Sequence, residues 1–263
     1  MSKSEIQAKS LRRVSGIADV LEGQLGRPRP PRKKSPPLDS LIATLLSQNT
    51  NDRNSYRAWL NLKEQFPSWE RVHESRWQTV AKAIEVGGLK NQKAQRIKLI
   101  LRTILQERGS FALDFLRAMS DEQAMEYLLA MKGVGSKTAA CVLVFSLGRD
   151  VFPVDTHIHR ICNRLALVKT KSADETFEAM KPLLPSGRGY SFHVNLIHFG
   201  RQTCRSMNPL CGQCVLFDDC SYPLRHRNQA KTPAIMRRKR ETDFLITEKI
   251  ATGNSKRRNH SDR

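Results

Sequence analysis

The sequence predicts an all-α protein built from two helical domains. Three observations support this prediction: apolar residues recur at helical spacing, no useful stretch alternates as a strand would, and the breaks between apolar runs are short. The pattern is clearest around a Gly-Val-Gly turn. Ala124, Leu128 and Met131 precede that turn at helical spacing, and Ala139 and Leu143 follow it. This turn is the stretch around which the rest of the chain is organised.

The helices can be placed in order along the chain. The first is marked by apolar residues from Leu11 to Leu25 and should end at Gly26. Asp39 could cap the second helix, which runs through Leu46. Further helices are expected at about 54–65, 69–84, 92–108, 113–119 and 121–131, from 136 and from 156 onward, and at about 173–181 and 191–204.

Composition narrows the class of partner. The 263 residues include 45 Lys and Arg against 25 Asp and Glu, a formal net charge of +20. Such a charge favours a polyanion, most simply nucleic acid, with a membrane surface as the weaker alternative. No apolar run is long enough to span a membrane, and Met1–Glu5 lacks the apolar segment of a signal peptide. We therefore expect an intracellular protein that does not enter membranes.

The Gly-Val-Gly turn has the features of an anion site. Gly133 and Gly135 permit a tight hairpin around Val134, and the next helix begins near Ser136. The first backbone N–H groups of that helix have no partner within it and lie at its positive end, which suits a phosphate. Lys137 follows directly. A plain helix-turn-helix with a surface lysine would show the same local pattern.

The cysteines predict a bound metal. Six are present, and four of them fall in one short window with the spacing C-x6-C-x2-C-x5-C: Cys204, Cys211, Cys214 and Cys220. Four thiolates so close in an intracellular chain would suit zinc or an iron–sulfur cluster, and the chemistry alone does not choose between them. Cys141 and Cys162 lie within helical patterns, where we expect buried core thiols.

Three motifs together resemble the endonuclease III family of DNA glycosylases. They are the hairpin at 133–139, the segment Val-Asp-Thr-His-Ile at 154–158, and the cysteine spacing preceded by His-Phe-Gly-Arg at 198–201. Their order and separations are also those of the family, and the resemblance covers roughly residues 38–222. It implies a six-helix barrel carrying a helix-hairpin-helix, a second helical domain holding a 4Fe–4S cluster on the four clustered cysteines, and a DNA-binding cleft between the two domains.

The resemblance also implies a domain plan. Residues 1–37 would form an N-terminal helix and a basic, proline-rich linker that join the cluster domain. Residues 38–149 would form the barrel with its hairpin, and residues 150–224 the cluster domain. Residues 225–263 carry 12 Lys and Arg against 4 Asp and Glu, and they are expected to be a disordered basic tail.

The family removes damaged bases from duplex DNA and then cleaves the strand at the resulting abasic site. The target base must leave the helical stack before its sugar can be reached. The resemblance makes Lys137 the amine nucleophile that forms a Schiff base with C1′ of the sugar. Asp155 would match the second active-site residue, whose carboxylate stabilises positive charge on the sugar. Asp155 could also cap the helix that follows it. Oxidised pyrimidines are the expected substrates.

Further residues are expected to contact DNA. The family fills the gap left by the flipped base with a leucine and a glutamine from separate loops, and Leu89 matches the leucine. Gln48 is our choice for the glutamine, although Asn49 falls at the aligned position. Lys132 stands where the family often has proline and adds charge beside the phosphate site. The hairpin residues expected to contact DNA are Lys132, Gly133, Val134, Gly135 and Ser136.

Two other functions remain open at this point. A monofunctional glycosylase for a mismatched or modified base would share the fold, but that branch lacks a lysine at the hairpin position. A non-catalytic DNA-binding module with a structural metal would need neither Lys137 nor Asp155. In the preferred interpretation the protein is a monomer that binds double-stranded DNA with damaged or abasic sites. It would work in the nucleoid of a bacterium or the nucleus of a eukaryote.

Overall fold

The computed structural model describes residues 2–230, and that part of the chain contains α-helices, short 3₁₀ and π turns, and no β-strand. The predicted all-α class is therefore confirmed. The α-helices are α1 (Lys3–Leu25), α2 (Pro37–Ser47), α3 (Asp52–Gln65), α4 (Trp69–Glu74), α5 (Trp77–Ala83), α6 (Lys90–Arg108), α7 (Asp121–Leu129), α8 (Ser136–Val142), α9 (Thr156–Arg164), α10 (Ala173–Met180), α11 (Gly189–Gln202) and α12 (Arg225–Ala230).

Short helical turns connect several of these helices. Four are 3₁₀ turns, at Glu85–Gly87, Asp114–Ala118, Lys181–Leu183 and Cys211–Gln213, and a π turn, Leu143–Leu147, continues α8. The helix expected at about 113–119 is thus a single 3₁₀ stretch. No helix within residues 2–230 is both long enough and apolar enough to cross a membrane.

The described chain divides into two compact units. One, the hairpin-entry unit, comprises residues 31–134 and 145–147, and the other, the cysteine-loop unit, comprises residues 2–30, 135–144 and 148–230. In the hairpin-entry unit α2 is almost wholly buried, with Leu41, Ile42 and Leu45 inaccessible to solvent. α2 packs against α3 and α6, and α6 packs against α4 and α5. Burial of these apolar side chains is the main source of the unit's stability.

The cysteine-loop unit is organised around α11. This helix packs against α1 and α9, and α10 packs against α8 and α9. Polar contacts reinforce the packing of α1: Arg188 at the start of α11 forms an ion pair with Asp19 at 2.6 Å, and Ser191 donates a hydrogen bond of 2.8 Å to Glu22. α1 ends at Gly26, where φ is +83°, as the sequence predicts.

Two helix boundaries differ from the sequence predictions. Asp39 does not cap α2: the helix begins at Pro37, and Asp39 lies in its first turn, where its carboxylate accepts a 2.9 Å hydrogen bond from the Trp69 indole. Proline suits the first helical position because its missing N–H would have no partner there. Burial raises the pKa of Asp39, while Lys63 and the Trp69 bond oppose that shift.

The helix expected at 69–84 is broken into α4 and α5. The break has a physical cause in a long-range contact, since the Lys98 ammonium on α6 donates to the carbonyl oxygens of Val72, His73 and Ser75. These bonds satisfy carbonyl groups that the end of a helix leaves without partners. A lysine far along the sequence thus ends α4, which periodicity alone could not indicate.

The predicted disordered tail at 225–263 is wrong for its first six residues, which form α12. Aromatic contacts hold this short helix against the preceding loop. The Arg225 guanidinium lies 5.8 Å from the centre of the Phe217 ring, and His226 meets the same ring edge-on at 5.2 Å. Residues 231–263, the remainder of the predicted tail, lie outside the described part of the chain.

Candidate active site and cysteine loop

The hairpin adopts the tight turn that its glycines predict. Gly133 has φ of +90°, a conformation that residues with a side chain rarely adopt, and the Val134 N–H closes the turn on the Met131 carbonyl at 3.0 Å. Gly135 has φ of −98° and forms the N-cap of α8, so no side chain caps that helix. The first turn of α8 therefore begins with backbone N–H groups at its positive end, as an anion site requires.

A second constraint on Gly133 comes from α6. A Cβ at this position would overlap the side chain of Arg96, which lies directly over the turn. The Arg96 guanidinium in turn donates a 3.1 Å hydrogen bond to the Gln48 side-chain oxygen. Arg96 was not identified from the sequence, and it links Gly133 to the segment that follows α2. Lys132 is exposed, which leaves its charge available to a polyanion.

Lys137 and Asp155 occupy the starts of consecutive helices. Lys137 is the second residue of α8 and is half-buried. Asp155 is the N-cap of α9, and its Oδ1 accepts the Ile158 N–H at 2.8 Å, so the predicted capping role is confirmed. Ser136, directly before Lys137, donates through its hydroxyl to the Asp174 carboxylate at the start of α10.

Lys137 and Asp155 both influence the pKa values of two buried groups, Cys141 and His193. Burial raises the pKa of the Cys141 thiol; Lys137 lowers that pKa and Asp155 raises it. Burial also lowers the pKa of His193 to about 4, while Asp155 raises it and Lys137 lowers it further. Since electrostatic effects weaken with distance, the two side chains lie in one electrostatic neighbourhood around α8 and α11.

His193 is a polar residue of this neighbourhood that the sequence analysis missed. It is fully buried on α11, and its Nδ1 lies 2.7 Å from the Pro153 carbonyl oxygen. A neutral ring that donates from Nδ1 to this carbonyl holds the backbone two residues before Asp155. The available signal was weak: His193 lies in the segment 190–196, where apolar residues alternate with Ser191, His193 and Asn195.

The predicted gap-filling residues lie in two loops of the hairpin-entry unit. Leu89 is 47% exposed and has φ of +47°, a left-handed conformation that is uncommon for a residue with a side chain. Asn49 is exposed and also left-handed, with φ of +51°, whereas Gln48 is half-buried and holds Arg96. An exposed, strained leucine has little structural purpose, which keeps Leu89 a candidate for contact with a ligand.

The four clustered cysteines lie in one loop of the cysteine-loop unit. All four are half-buried free thiols. Burial raises the pKa of Cys214 to about 12, and the other three cysteines of the loop, Cys204, Cys220 and Cys211, raise it further. Within residues 2–230, no three His, Cys, Asp or Glu side chains converge as they would around one metal ion. Cys141 and Cys162 are buried, as predicted.

Hydrogen-bond donors surround the sulfurs of this loop. Arg164 on α9 donates to the Cys204 sulfur at 3.4 Å, and the Tyr222 N–H donates to the Cys220 sulfur at 3.4 Å. A backbone bond from Leu216 favours the thiolate form of Cys214. Donors of this kind stabilise anionic sulfur, so the surroundings of Cys204, Cys214 and Cys220 suit thiolate ligands of a metal centre.

Comparison with known proteins identifies the family. Residues 42–186 match the family described as HhH-GPD superfamily base excision DNA repair protein. The chain is 36% identical to endonuclease III of Thermotoga maritima over 190 residues, 72% of this chain and 85% of that protein. It is 32% identical to endonuclease III of Escherichia coli over 188 residues, with the same shares of each chain.

A solved structure shows the same fold. The structure of a non-covalent endonuclease III–DNA complex superposes with a TM-score of 0.71 at 22% identity, covering 84% of this chain and 99% of the other. The family match spans more than half of the present sequence, and the T. maritima protein is matched over most of its length. The chain therefore belongs to the HhH-GPD superfamily of base excision DNA repair proteins and, within it, to the endonuclease III family.

Proposed function

We propose that this protein is a bifunctional DNA N-glycosylase and abasic-site lyase. It would excise oxidised pyrimidines from duplex DNA and cleave the strand by β-elimination through a lysine Schiff base. The observation that carries the proposal is the position of the two residues at helix starts of the cysteine-loop unit, with Lys137 the second residue of α8 and Asp155 the N-cap of α9. Both also influence the pKa values of the buried Cys141 and His193. A protein that only bound DNA could use Asp155 as a helix cap and Lys137 as a phosphate contact, so the test below must detect the chemistry itself.

Lys137 is assigned the role of nucleophile. Its amine nitrogen attacks C1′ of the flipped nucleotide, the bond from C1′ to the base breaks, and the base leaves with the bonding electrons and takes up a proton. The sugar ring then opens to give an iminium between Lys137 and C1′. Loss of a proton from C2′ expels the 3′ phosphate and cleaves the strand. Water finally releases the lysine from the remaining sugar.

Asp155 is assigned two roles that its position permits. Its carboxylate stabilises the positive charge that develops on the sugar as the base departs, and it can accept a proton from the Lys137 ammonium. Because Oδ1 accepts the Ile158 N–H, we assign Oδ2 to these roles. His193 supports this geometry through its bond to the Pro153 carbonyl, which holds the backbone that leads into Asp155.

Duplex DNA is the proposed partner, and the hairpin its proposed anchor. The uncapped start of α8 would hold a backbone phosphate, and the exposed Lys132 would add a positive charge for the DNA backbone. The net charge of +20 supplies long-range attraction to the polyanion. Leu89 is assigned to the space vacated by the flipped base, because it is exposed at a strained loop position. Asn49 and Gln48 are the candidates for the second residue that enters this space. Asn49 is the better placed of the two because it is exposed, whereas Gln48 is held by Arg96.

Cys204, Cys211, Cys214 and Cys220 are assigned as the ligands of a 4Fe–4S cluster. The assignment rests on their spacing within one loop and on the donors that Arg164 and Tyr222 direct at the sulfurs of Cys204 and Cys220. When bound, the cluster would supply covalent cross-linking of the loop rather than a step of the reaction. The protein residues around it would hold the loop shape through the bonds of Arg164 to the Arg205 and Ser206 carbonyls.

The deciding experiment combines a substrate panel with chemical trapping. Duplexes would carry thymine glycol, dihydrouracil, uracil opposite guanine, 5-methylcytosine or an abasic site, and borohydride would reduce any Schiff base to a stable enzyme–DNA link. Wild-type protein should remove oxidised pyrimidines and become trapped. Lys137→Gln should abolish trapping and strand cleavage but retain affinity for DNA, because it removes one charge among many.

Two further variants sharpen the assignment. Asp155→Asn should slow base removal by about 10² or more and slow cleavage of a ready-made abasic site less, because in that substrate the base is already gone. Lys132→Gln, on the other side of the hairpin, is the matched control and should still be trapped. Normal trapping of Lys137→Gln would mean that another amine performs the chemistry. Base removal without any trapping would instead identify a monofunctional glycosylase.

A further inference from the structure

A buried lysine in the hairpin-entry unit takes no part in the proposed chemistry. Lys93 lies in the first turns of α6 and is only 2% exposed. Its ammonium donates two hydrogen bonds of 2.8 Å, one to the Leu46 carbonyl and one to the Gly87 carbonyl. No carboxylate pairs with it among residues 2–230, and burial lowers its pKa to about 8. A buried charge without a counter-charge is costly, so its presence calls for a function.

The two carbonyl groups that Lys93 holds lie directly before the two loops that carry Asn49 and Leu89. Leu46 stands at the end of α2, three residues before the left-handed Asn49. Gly87 stands two residues before the left-handed, exposed Leu89. The Lys93 backbone N–H also donates to the Leu89 carbonyl at 3.0 Å. Lys93 thus connects the two loops that are assigned to fill the gap in the DNA stack.

The surroundings of Lys93 fix both loops further. Gly87 packs so closely on α3 that a Cβ there would lie 3.0 Å from the Ala58 Cβ. One helical turn beyond Lys93, Arg96 holds the Gln48 side chain and covers Gly133 of the hairpin. Two cations on one face of α6 therefore contact the Asn49 loop, the Leu89 loop and the hairpin turn.

We propose that Lys93 is a positioning residue that sets the spacing between the Asn49 and Leu89 loops, so that both can enter the DNA stack together when the base flips. This inference rests on the gap-filling role assigned to those loops in the proposed function. Two neutral packed loops could drift relative to each other without loss of core packing. One ammonium that donates to both carbonyl groups prevents this, because both must stay within hydrogen-bond distance of the same nitrogen atom.

The test uses full-length protein and a duplex whose chemistry is blocked. The probe is a tetrahydrofuran abasic analogue with 2-aminopurine as the opposing base, whose fluorescence rises when it is unstacked. Lys93→Met retains the length of the side chain and removes the ammonium. It should reduce the fluorescence rise to near that of Leu89→Ala, and it should lower the single-turnover rate of base removal on the order of 10- to 100-fold, as misplaced binding groups do. Lys93→Arg, which restores donors, should recover part of the signal.

Lys98→Met is the matched control. Lys98 also lies on α6, is also bonded only to carbonyl groups, and also has a pKa lowered by burial, but its partners end α4 rather than the two loops. Its loss should lower thermal stability and leave the fluorescence rise unchanged. If Lys98→Met lowers the signal as much as Lys93→Met does, or if Lys93→Met gives the wild-type signal, the positioning role is refuted. If Lys93→Met does not fold by circular dichroism, Lys93→Gln, which retains an N–H₂ donor but shortens the reach, carries the same test.

The fluorescence signal separates this inference from the proposed function. It reports insertion of the loops into DNA that the enzyme cannot cleave, whereas borohydride trapping reports the Lys137 chemistry. A normal fluorescence rise in wild-type protein without trapping would refute the lyase proposal and leave the role of Lys93 testable. Trapping without any fluorescence rise in wild-type protein would refute the gap-filling assignment and the Lys93 inference with it.

Discussion

Substitution of Gly133 by alanine tests whether the hairpin is held as the structure describes. Alanine at φ of +90° must adopt a left-handed conformation, which costs roughly 1–2 kcal/mol. Its Cβ would also displace the Arg96 side chain, and loss of the Arg96–Gln48 hydrogen bond adds about 1 kcal/mol. The expected loss of unfolding free energy is therefore about 2–3 kcal/mol, which corresponds to a fall in Tm of roughly 5–10 °C for a domain of this size.

Gly135→Ala is the matched control two residues away. Gly135 has φ of −98°, which alanine adopts without strain, and no atom lies within 4 Å of an added Cβ. Only the preference for glycine over alanine at an N-cap is lost, at about 0.5–1 kcal/mol. Thermal unfolding followed by circular dichroism would give the Tm of both variants, and urea titration would give their free energies of unfolding. Equal destabilisation by the two substitutions would refute the steric argument, since it would mean that Arg96 does not constrain the turn.

Two further predictions concern the cysteine loop and the buried histidine. Cys211→Ser should lower iron content from about four atoms per chain and lower the Tm of the cysteine-loop unit; one zinc per chain in colourless wild-type protein would contradict the cluster assignment. Because burial lowers the pKa of His193, the unfolded chain binds a proton between about pH 6.5 and pH 4 that the folded chain does not, so stability should fall as the pH falls through that window. For His193→Asn, the free energy of unfolding measured by urea titration should change less with pH. A pH dependence equal to that of the wild type would mean that the histidine is not buried.

The features predicted correctly from the sequence are those that depend on local chemistry. Helical periodicity predicted the all-α class, Gly26 ends α1, and Asp155 caps α9 because a short polar side chain before a helix binds its first N–H groups. Cys141 and Cys162 are buried because they share faces with apolar neighbours. Each of these outcomes is set within about one helical turn of the residue concerned, so no knowledge of the tertiary contacts was needed.

The features that were missed depend on contacts between distant parts of the chain. Lys98 ends α4 from α6, and Asp39 binds the Trp69 indole instead of capping α2. Lys93 shares the buried face of α6 with Ala94 and Ile97, but the sequence analysis did not single out this lysine. Neither its burial nor its function could be inferred, because the carbonyl group of Leu46 is identified as its partner only once α2 and α6 are packed together.

The N-termini of α8 and α9 show how two helix starts can favour ligand groups of opposite charge. α8 begins at Gly135, which has no side chain to cap it, so an incoming phosphate oxygen can take the place of a capping group. α9 begins at Asp155, whose carboxylate already binds the Ile158 N–H and would repel a phosphate at the same distance. A group that develops positive charge is instead attracted to that carboxylate. Under the proposed function, glycine at one N-cap and aspartate at the other would therefore separate the anchoring of the DNA backbone from the stabilisation of the reacting sugar.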